Sequence, residues 1–216
     1  MVREEEERWK RGGAADLEAV WLASVPDAPR ELACQALAEV SRCYAAPDRH
    51  YHNLDHVAAV VGEVVRAGGG VNVVRAAFLH DLIYDPRRSD NEERSAQESQ
   101  LLLASLGVPA SDLAEVVRLI LLTRSHCTEA EDVAGALLLD ADLAILGAEP
   151  DAYAQYAAAI RREYAWVPAT AYRAGRRQVL ERFLERPRLY VLDVNHGRWE
   201  ASARRNLANE LASLAE

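Results

Sequence analysis

Residues 49–57 read Arg-His-Tyr-His-Asn-Leu-Asp-His-Val, and this stretch holds three of the six histidines in a chain of 216 residues. If Asn53 caps a helix, His56 lies in its first turn and His52 lies just before it. Both side chains then project toward the same space. Imidazole together with carboxylate groups suits a divalent metal ion that also binds oxygen atoms of a substrate. The stretch therefore predicts a helix start and one edge of a metal site.

A second set of candidate ligands, His80 and Asp81, lies in the strongly apolar segment 71–84. Its spacing predicts one helix, on which adjacent side chains diverge by about 100°. One ion can still bind both if the long imidazole curves inward and the short carboxylate reaches across. A carboxylate on an apolar helix also needs a partner, because an unpaired buried charge is costly. A metal ion would supply that partner.

A third apolar helix is predicted over residues 137–147, and it carries two carboxylates, Asp140 and Asp142. Residues two apart on a helix point about 200° away from each other. Only one of the two can therefore face the ion.

Apolar residues recur at helical spacing along most of the remaining chain, and alternating β-branched runs typical of strands are nearly absent. Pro29 is expected to open one helix and Ser111 to cap another, and the Asn-Glu-Glu sequence at 91–93 indicates a further helix start. Three more helices are predicted over residues 153–164, 170–185 and 199–214. The fold class is therefore all-α, and a single domain over residues 1–216 is expected.

The composition of the chain disfavours some classes of binding partner and indicates a cellular compartment. The 25 Lys and Arg residues against 34 Asp and Glu residues give a net charge of −9, which disfavours a nucleic-acid polymer as partner. No apolar run approaches the ~20 residues that span a bilayer, and residues 4–10 form a charged lead unlike a signal peptide. The three cysteines lack paired spacing, which indicates reduced thiols. We therefore expect a cytoplasmic protein without membrane contact, and homo-oligomerisation stays open.

The order His56, then His80-Asp81, then Asp142 resembles the H…HD…D signature of the HD-domain superfamily of metal-dependent phosphohydrolases. Four blocks are similar to a bacterial branch described as predicted HD phosphohydrolases, and the likeness runs from about residue 49 to the C-terminus. It implies an HD-domain helical bundle with a motif core at about 49–147 and C-terminal helices at 150–214 packed on it. The blocks are Tyr-His-Asn-Leu-Asp-His at 51–56, His-Asp-Leu-Ile-Tyr-Asp at 80–85, Asn-Glu-Glu-Arg-Ser-Ala at 91–96 and Asp-Ala-Asp-Leu-Ala-Ile-Leu-Gly at 140–147.

The resemblance assigns roles to these residues. It implies one divalent ion of open identity (Mn, Mg, Co, Ni, Zn or Fe), and it favours Asp142 over Asp140 because the family's ligand follows a small residue. The implied ligands are His56, His80, Asp81 and Asp142, and Asp81 would also orient the attacking water. The HNxxH block is similar to cyclic-nucleotide phosphodiesterases, which implies that His52 protonates the leaving oxygen.

Other candidates are less specific. Glu92 is a candidate proton acceptor, or a glutamate that the dipole of a helix N-terminus favours. Asn91 and Glu92 lie near the position where a second-metal ligand would otherwise come. Thr123 and His126 are candidates for contact with a substrate phosphate, or residues at which a helix ends. The remaining candidates for substrate binding are Asn53, which is also the expected helix cap, and Arg162 and Arg176, which serve as phosphate-binding or structural ion-pair arginines.

The expected function is hydrolysis of a small phosphate ester or nucleotide by metal-activated water, as a phosphomonoesterase or phosphodiesterase. One alternative is a di-iron oxygenase on the HD fold, which normally needs more histidines than this chain offers. Another is a module that retains a metal or nucleotide without turnover. The motifs leave the substrate unnamed, because specificity resides in pocket shape.

Overall fold

The computed structural model describes residues 14–129 and 131–214, and these residues form helices and connecting turns without a β-strand. The all-α prediction is confirmed, while the predicted charged lead at 4–10 lies outside the described residues. None of the described helices is both long and apolar enough to cross a membrane. The helices are Ala14–Ser24 (α1), Arg30–Tyr44 (α2), Leu54–Arg66 (α3), Val71–Leu79 (α4), Asn91–Ser105 (α5), Ala110–Leu122 (α6), Val133–Asp142 (α7), the 3₁₀ helix Leu143–Gly147, Pro150–Glu163 (α8), Ala169–Glu185 (α9) and Asp193–Ser213 (α10).

Helices α1 to α7 bury their apolar faces in one core. Trp21 of α1 is fully buried and packs edge to face on Phe78 of α4, with ring centroids 5.3 Å apart. Its indole nitrogen donates to the carbonyl of Ala33 at 2.8 Å, so the buried polar atom is satisfied. This core holds α3, α4 and α7 together, the helices that carry the candidate ligands.

The 3₁₀ helix and α8 to α10 form a second core. Tyr190 and Leu180 are fully buried in it, and the Tyr190 hydroxyl donates to the carbonyl of Leu143 at 3.0 Å. Pro150 occupies the first turn of α8, where its missing N–H removes no hydrogen bond. The second core therefore begins directly after Asp142.

Asp140 joins the two cores. Its buried carboxylate accepts the backbone N–H groups of Val191 at 2.8 Å and Leu192 at 3.0 Å. It also accepts the side-chain amide of Asn195 at 3.1 Å. Asp140 thus ties α7 to the chain entering α10, and its hydrogen bonds go to residues other than the candidate ligands.

Four predicted boundaries were wrong. The apolar segment 71–84 is not one helix, because α4 ends at Leu79. The Arg49 guanidinium donates to the carbonyls of Asp81 at 2.6 Å and Leu82 at 2.8 Å, which fixes a turn in place of further helix. The segment 137–147 divides into the end of α7 and the 3₁₀ helix. The N-cap position of α6 is Pro109, without a side-chain cap bond, and Ser111 lies inside the first turn. Helix α10 begins at Asp193 and not at residue 199.

Candidate metal centre and adjoining cavity

His56 is placed by the cap of α3. The Asn53 side chain accepts the backbone N–H groups of Asp55 at 2.9 Å and His56 at 3.3 Å, which confirms the predicted helix start. The His56 ring is buried and packs against the Tyr51 ring, with centroids 4.7 Å apart. The cap and the aromatic contact fix the imidazole at the edge of the first core.

His80 is oriented by the end of α4. Its Nδ1 lies 3.0 Å from the carbonyl of Ala77, so Nδ1 donates a hydrogen bond and Nε2 is the nitrogen left to face the other candidate ligands. His80 is the C-cap of the helix, and Asp81 lies in the turn that follows. The adjacent pair therefore converges without the distortion that a continuous helix would have required.

The candidate ligands meet at one point. The Nε2 atom of His56 lies 3.1 Å from that of His80 and 3.2 Å from Oδ1 of Asp142. These three side chains could hold a metal ion, since their donor atoms lie within 4.8 Å of one another. Oδ2 of Asp81 lies 3.2 Å from His80 Nε2 and 3.7 Å from His56 Nε2. We call these four residues the His/Asp cluster.

The charges of the His/Asp cluster are interdependent. Burial lowers the pKa of His56, which keeps this imidazole neutral. Burial also lowers the pKa of His80, but Asp81 and Asp142 raise it more, and the net pKa lies well above the ordinary value. Burial raises the pKa of Asp142, and the neighbouring histidines bring it well below the ordinary value. Two ionised carboxylates beside two imidazole nitrogens are the donor set that a divalent cation needs.

His52 lies beside the His/Asp cluster but not in it. Its Nδ1 is 2.7 Å from Oε2 of Glu163, and its ring stacks on Tyr84 with centroids 4.1 Å apart. Burial lowers the pKa of His52, but the hydrogen bond and charge of Glu163 and the Asp81 charge raise it to a net increase. The structure thus separates a candidate proton donor, His52, from a candidate ligand, His56.

Glu163 was not predicted as a site residue. It is 4 % exposed, and it accepts the backbone N–H of Tyr51 at 2.7 Å, that of His52 at 2.9 Å and the hydroxyl of Tyr84 at 3.0 Å. Burial raises the pKa of Glu163, but His52 and the backbone donors lower it to about 2. The sequence offered only a carboxylate near the end of the helix predicted over residues 153–164, with nothing that links it to His52.

A cavity of about 760 Å³ opens beside the His/Asp cluster, within the size range of small-molecule sites. Residues of the first seven helices and their connecting loops line one side, and residues of the second core line the other, so the cavity lies between the two parts of the fold. Asp81, Asp142 and His52 form part of its wall. The remaining wall is largely aromatic, aliphatic and cationic, and includes Tyr84, Tyr156, Tyr164, Tyr172, Phe183, Leu143, Ile160, Arg176, Arg182 and Arg186.

Three further predicted residues line the same cavity: Glu92, Thr123 and His126. The Thr123 hydroxyl donates to the carbonyl of Ile120 at 2.7 Å, within its own helix end. Nε2 of His126 lies 2.9 Å from Oδ2 of Asp142, and the residue has a positive φ of 49°. His126 therefore contacts the outer oxygen of a candidate metal ligand.

Two of the remaining predicted substrate-binding residues, Asn91 and Arg176, make structural contacts, and the third, Arg162, lies away from the cavity. The Asn91 side chain bonds the backbone N–H and carbonyl of Asp85 at 3.1 and 2.9 Å, which holds the loop before α5. Arg162 is exposed and does not line the cavity. Arg176 lines the cavity but bonds both carboxylate oxygens of Glu210, at 2.7 and 2.9 Å. Of its two predicted roles, Arg176 has the contacts of an ion-pair arginine.

Comparison with known proteins adds no assignment to this geometry. The chain matches no protein-family model, no curated protein and no solved structure.

Proposed function

We propose that the chain is a metal-dependent phosphohydrolase of the HD-domain type that cleaves a small phosphate ester or nucleotide. One observation carries the proposal. Two imidazole nitrogens and two carboxylates converge at the wall of a ligand-sized cavity. The Nε2 atoms lie 3.1 Å from each other and 3.2 to 3.7 Å from the nearest carboxylate oxygens. A proton-donating histidine lines the same cavity.

The His/Asp cluster would hold one divalent cation of Mn, Mg, Co, Ni, Zn or Fe. Its two nitrogen and two carboxylate donors fill four positions, which leaves an octahedral ion open to further oxygen atoms. When bound, the cation supplies positive charge that acidifies water and withdraws charge from phosphate oxygens.

His52 supplies the proton for the leaving group. Glu163 binds Nδ1, so Nε2 is the ring nitrogen that can give a proton to a ligand in the cavity. The attacking water forms the new P–O bond and loses its proton to the carboxylate of Asp81. The ester P–O bond breaks as the leaving oxygen takes the proton from His52 Nε2, which balances the reaction.

The two alternative functions fit the site less well. A di-iron oxygenase needs ligands for a second ion, and among the described residues the additional imidazole at the cluster is His126, already bonded to Asp142. A module without turnover would leave the His52–Glu163 hydrogen bond without a role in binding. Both observations favour hydrolysis.

The test is a screen of protein stripped with a chelator and reloaded with Mg²⁺, Mn²⁺, Co²⁺ or Ni²⁺. Nucleotides, cyclic nucleotides and sugar phosphates are assayed for hydrolysis by chromatography of the products. We expect metal-dependent cleavage of at least one class, and its loss in a His80→Ala variant. Absence of cleavage with every metal, in protein that binds the ion, would show that the site does not support hydrolysis.

A further inference from the structure

The arginines that line the cavity fall into two groups. Arg176 is neutralised by Glu210, and Arg124 forms an ion pair with Glu93. Arg182 and Arg186, which we call the arginine pair, have no carboxylate partner among residues 14–129 and 131–214; their side chains bond backbone carbonyls only. The arginine pair therefore presents positive charge to the cavity in a chain whose net charge is −9.

The two guanidinium groups can act together. Arg182 lies in the last turn of α9 and Arg186 is its C-cap, and residues four apart on a helix are neighbours on one side. Like charges at this spacing destabilise a helix in the absence of a compensating anion. An anion bound between the two groups would remove that repulsion.

Arg186 is held in place before any ligand arrives. It donates to the carbonyls of His126 at 2.9 Å and Ser125 at 2.8 Å, and its guanidinium lies 4.9 Å from the Phe183 ring centroid. These contacts use two of its five N–H groups, which leaves three for a ligand. Arg182 makes one backbone bond, to Gln178 at 3.3 Å, and keeps four.

The position relative to the His/Asp cluster decides what the arginine pair would bind. Arg186 fixes the turn that carries His126, and His126 contacts the outer oxygen of Asp142. Arg186 is thus linked to the cluster through His126, and both arginines line the cavity that the cluster adjoins. Guanidinium groups with free parallel donors match phosphate oxygens.

We propose that Arg182 and Arg186 form an anion subsite that binds a second, non-reacting phosphate of the substrate. Resting on the proposed function, this assigns the substrate to phosphate esters with two or more phosphates, such as nucleoside diphosphates. The candidates predicted from the sequence were instead Arg162 and Arg176, as phosphate-binding or structural ion-pair arginines.

The subsite is tested by calorimetric titration of inorganic pyrophosphate into metal-free protein, where no metal ion at the His/Asp cluster can bind the phosphate. The variant is Arg182→Gln, which breaks no contact with another helix. The control is Arg173→Gln on the same helix, an exposed residue outside the cavity. We expect wild-type and control to bind pyrophosphate equally, and Arg182→Gln to bind about tenfold or more weakly, as for lost hydrogen bonds to a charged group.

Equal binding by Arg182→Gln, or no binding by wild-type protein, would overturn the subsite. The metal-loaded enzyme separates this outcome from failure of the proposed function. Hydrolysis with the same kcat/KM for a nucleoside monophosphate and diphosphate, unchanged in Arg182→Gln, would remove the subsite and leave the function. Weakened pyrophosphate binding in the variant without hydrolysis of any ester would keep the subsite and remove the function.

Discussion

Oε2 of Glu163 lies 2.7 Å from Nδ1 of His52, while Oε1 of the same carboxylate accepts the backbone N–H of that histidine at 2.9 Å. The two residues are 111 positions apart in the sequence, so α8 of the second core fixes a residue at the entrance to α3 of the first. The orientation of His52 therefore depends on both cores, and the cavity between them includes it.

The His52→Asn variant tests the proton-donating role. Asparagine removes the titratable ring while the His/Asp cluster stays intact. We expect metal content near that of wild-type protein and a kcat lower by roughly 10²- to 10⁴-fold, the usual contribution of general acid catalysis. Inductively coupled plasma mass spectrometry measures the metal content, and steady-state kinetics measure kcat. Loss of the metal in this variant would mean that His52 is a ligand.

Glu163 gives a pH dependence of stability with a defined sign. Its pKa is about 2 in the folded protein against an ordinary value of 4.5. A lowered folded pKa contributes stability that is present above about pH 4.5 and is lost as the pH falls toward 2. Urea unfolding between these pH values should show a shallower pH dependence in Glu163→Gln than in wild type. Identical slopes would contradict the assignment.

The Asp142→Ala and Asp140→Ala variants should fail in different ways. Removing Asp142 takes an oxygen donor from the His/Asp cluster, and largely metal-free protein is expected. Removing Asp140 leaves three donors near α10 without their acceptor, at a cost of about 2 to 4 kcal/mol in unfolding free energy. Metal analysis and urea unfolding separate the two, and the reverse pattern would exchange their roles.

The sequence carried enough information to predict the fold class and the members of the His/Asp cluster. Asn53 is a strong helix cap, and its position fixed His56 in the first turn of a helix. Asp142 was favoured over Asp140 by motif likeness, and the structure gives the physical reason, since Asp140 is occupied by Val191, Leu192 and Asn195.

Long-range contacts account for what sequence could not show. The turn that brings His80 and Asp81 together depends on Arg49, which lies more than 30 residues away. Glu163 reaches His52, and the arginine pair lines the cavity, only because the second core packs beside the first. Periodicity along one helix carries no information about such contacts.

His126→Asn distinguishes two roles for this histidine. Asparagine tolerates a positive φ better than most residues, so the backbone at 49° should be retained while the contact with Asp142 is removed. If the imidazole orients that carboxylate, metal affinity falls about 10- to 100-fold. A raised KM with unchanged metal affinity would instead show contact with the substrate phosphate. Isothermal titration with Mn²⁺, together with kinetics, measures both.

Titration of chelator-stripped protein with Mg²⁺ or Mn²⁺, with bound metal and ester hydrolysis followed together, tests the central proposal most directly. The rate should rise in proportion to bound ion, reach its maximum at one ion per chain, and involve no uptake of oxygen. Full activity without metal, or a maximum only at two irons per chain with consumption of oxygen, would contradict a one-metal phosphohydrolase built on His56, His80, Asp81 and Asp142.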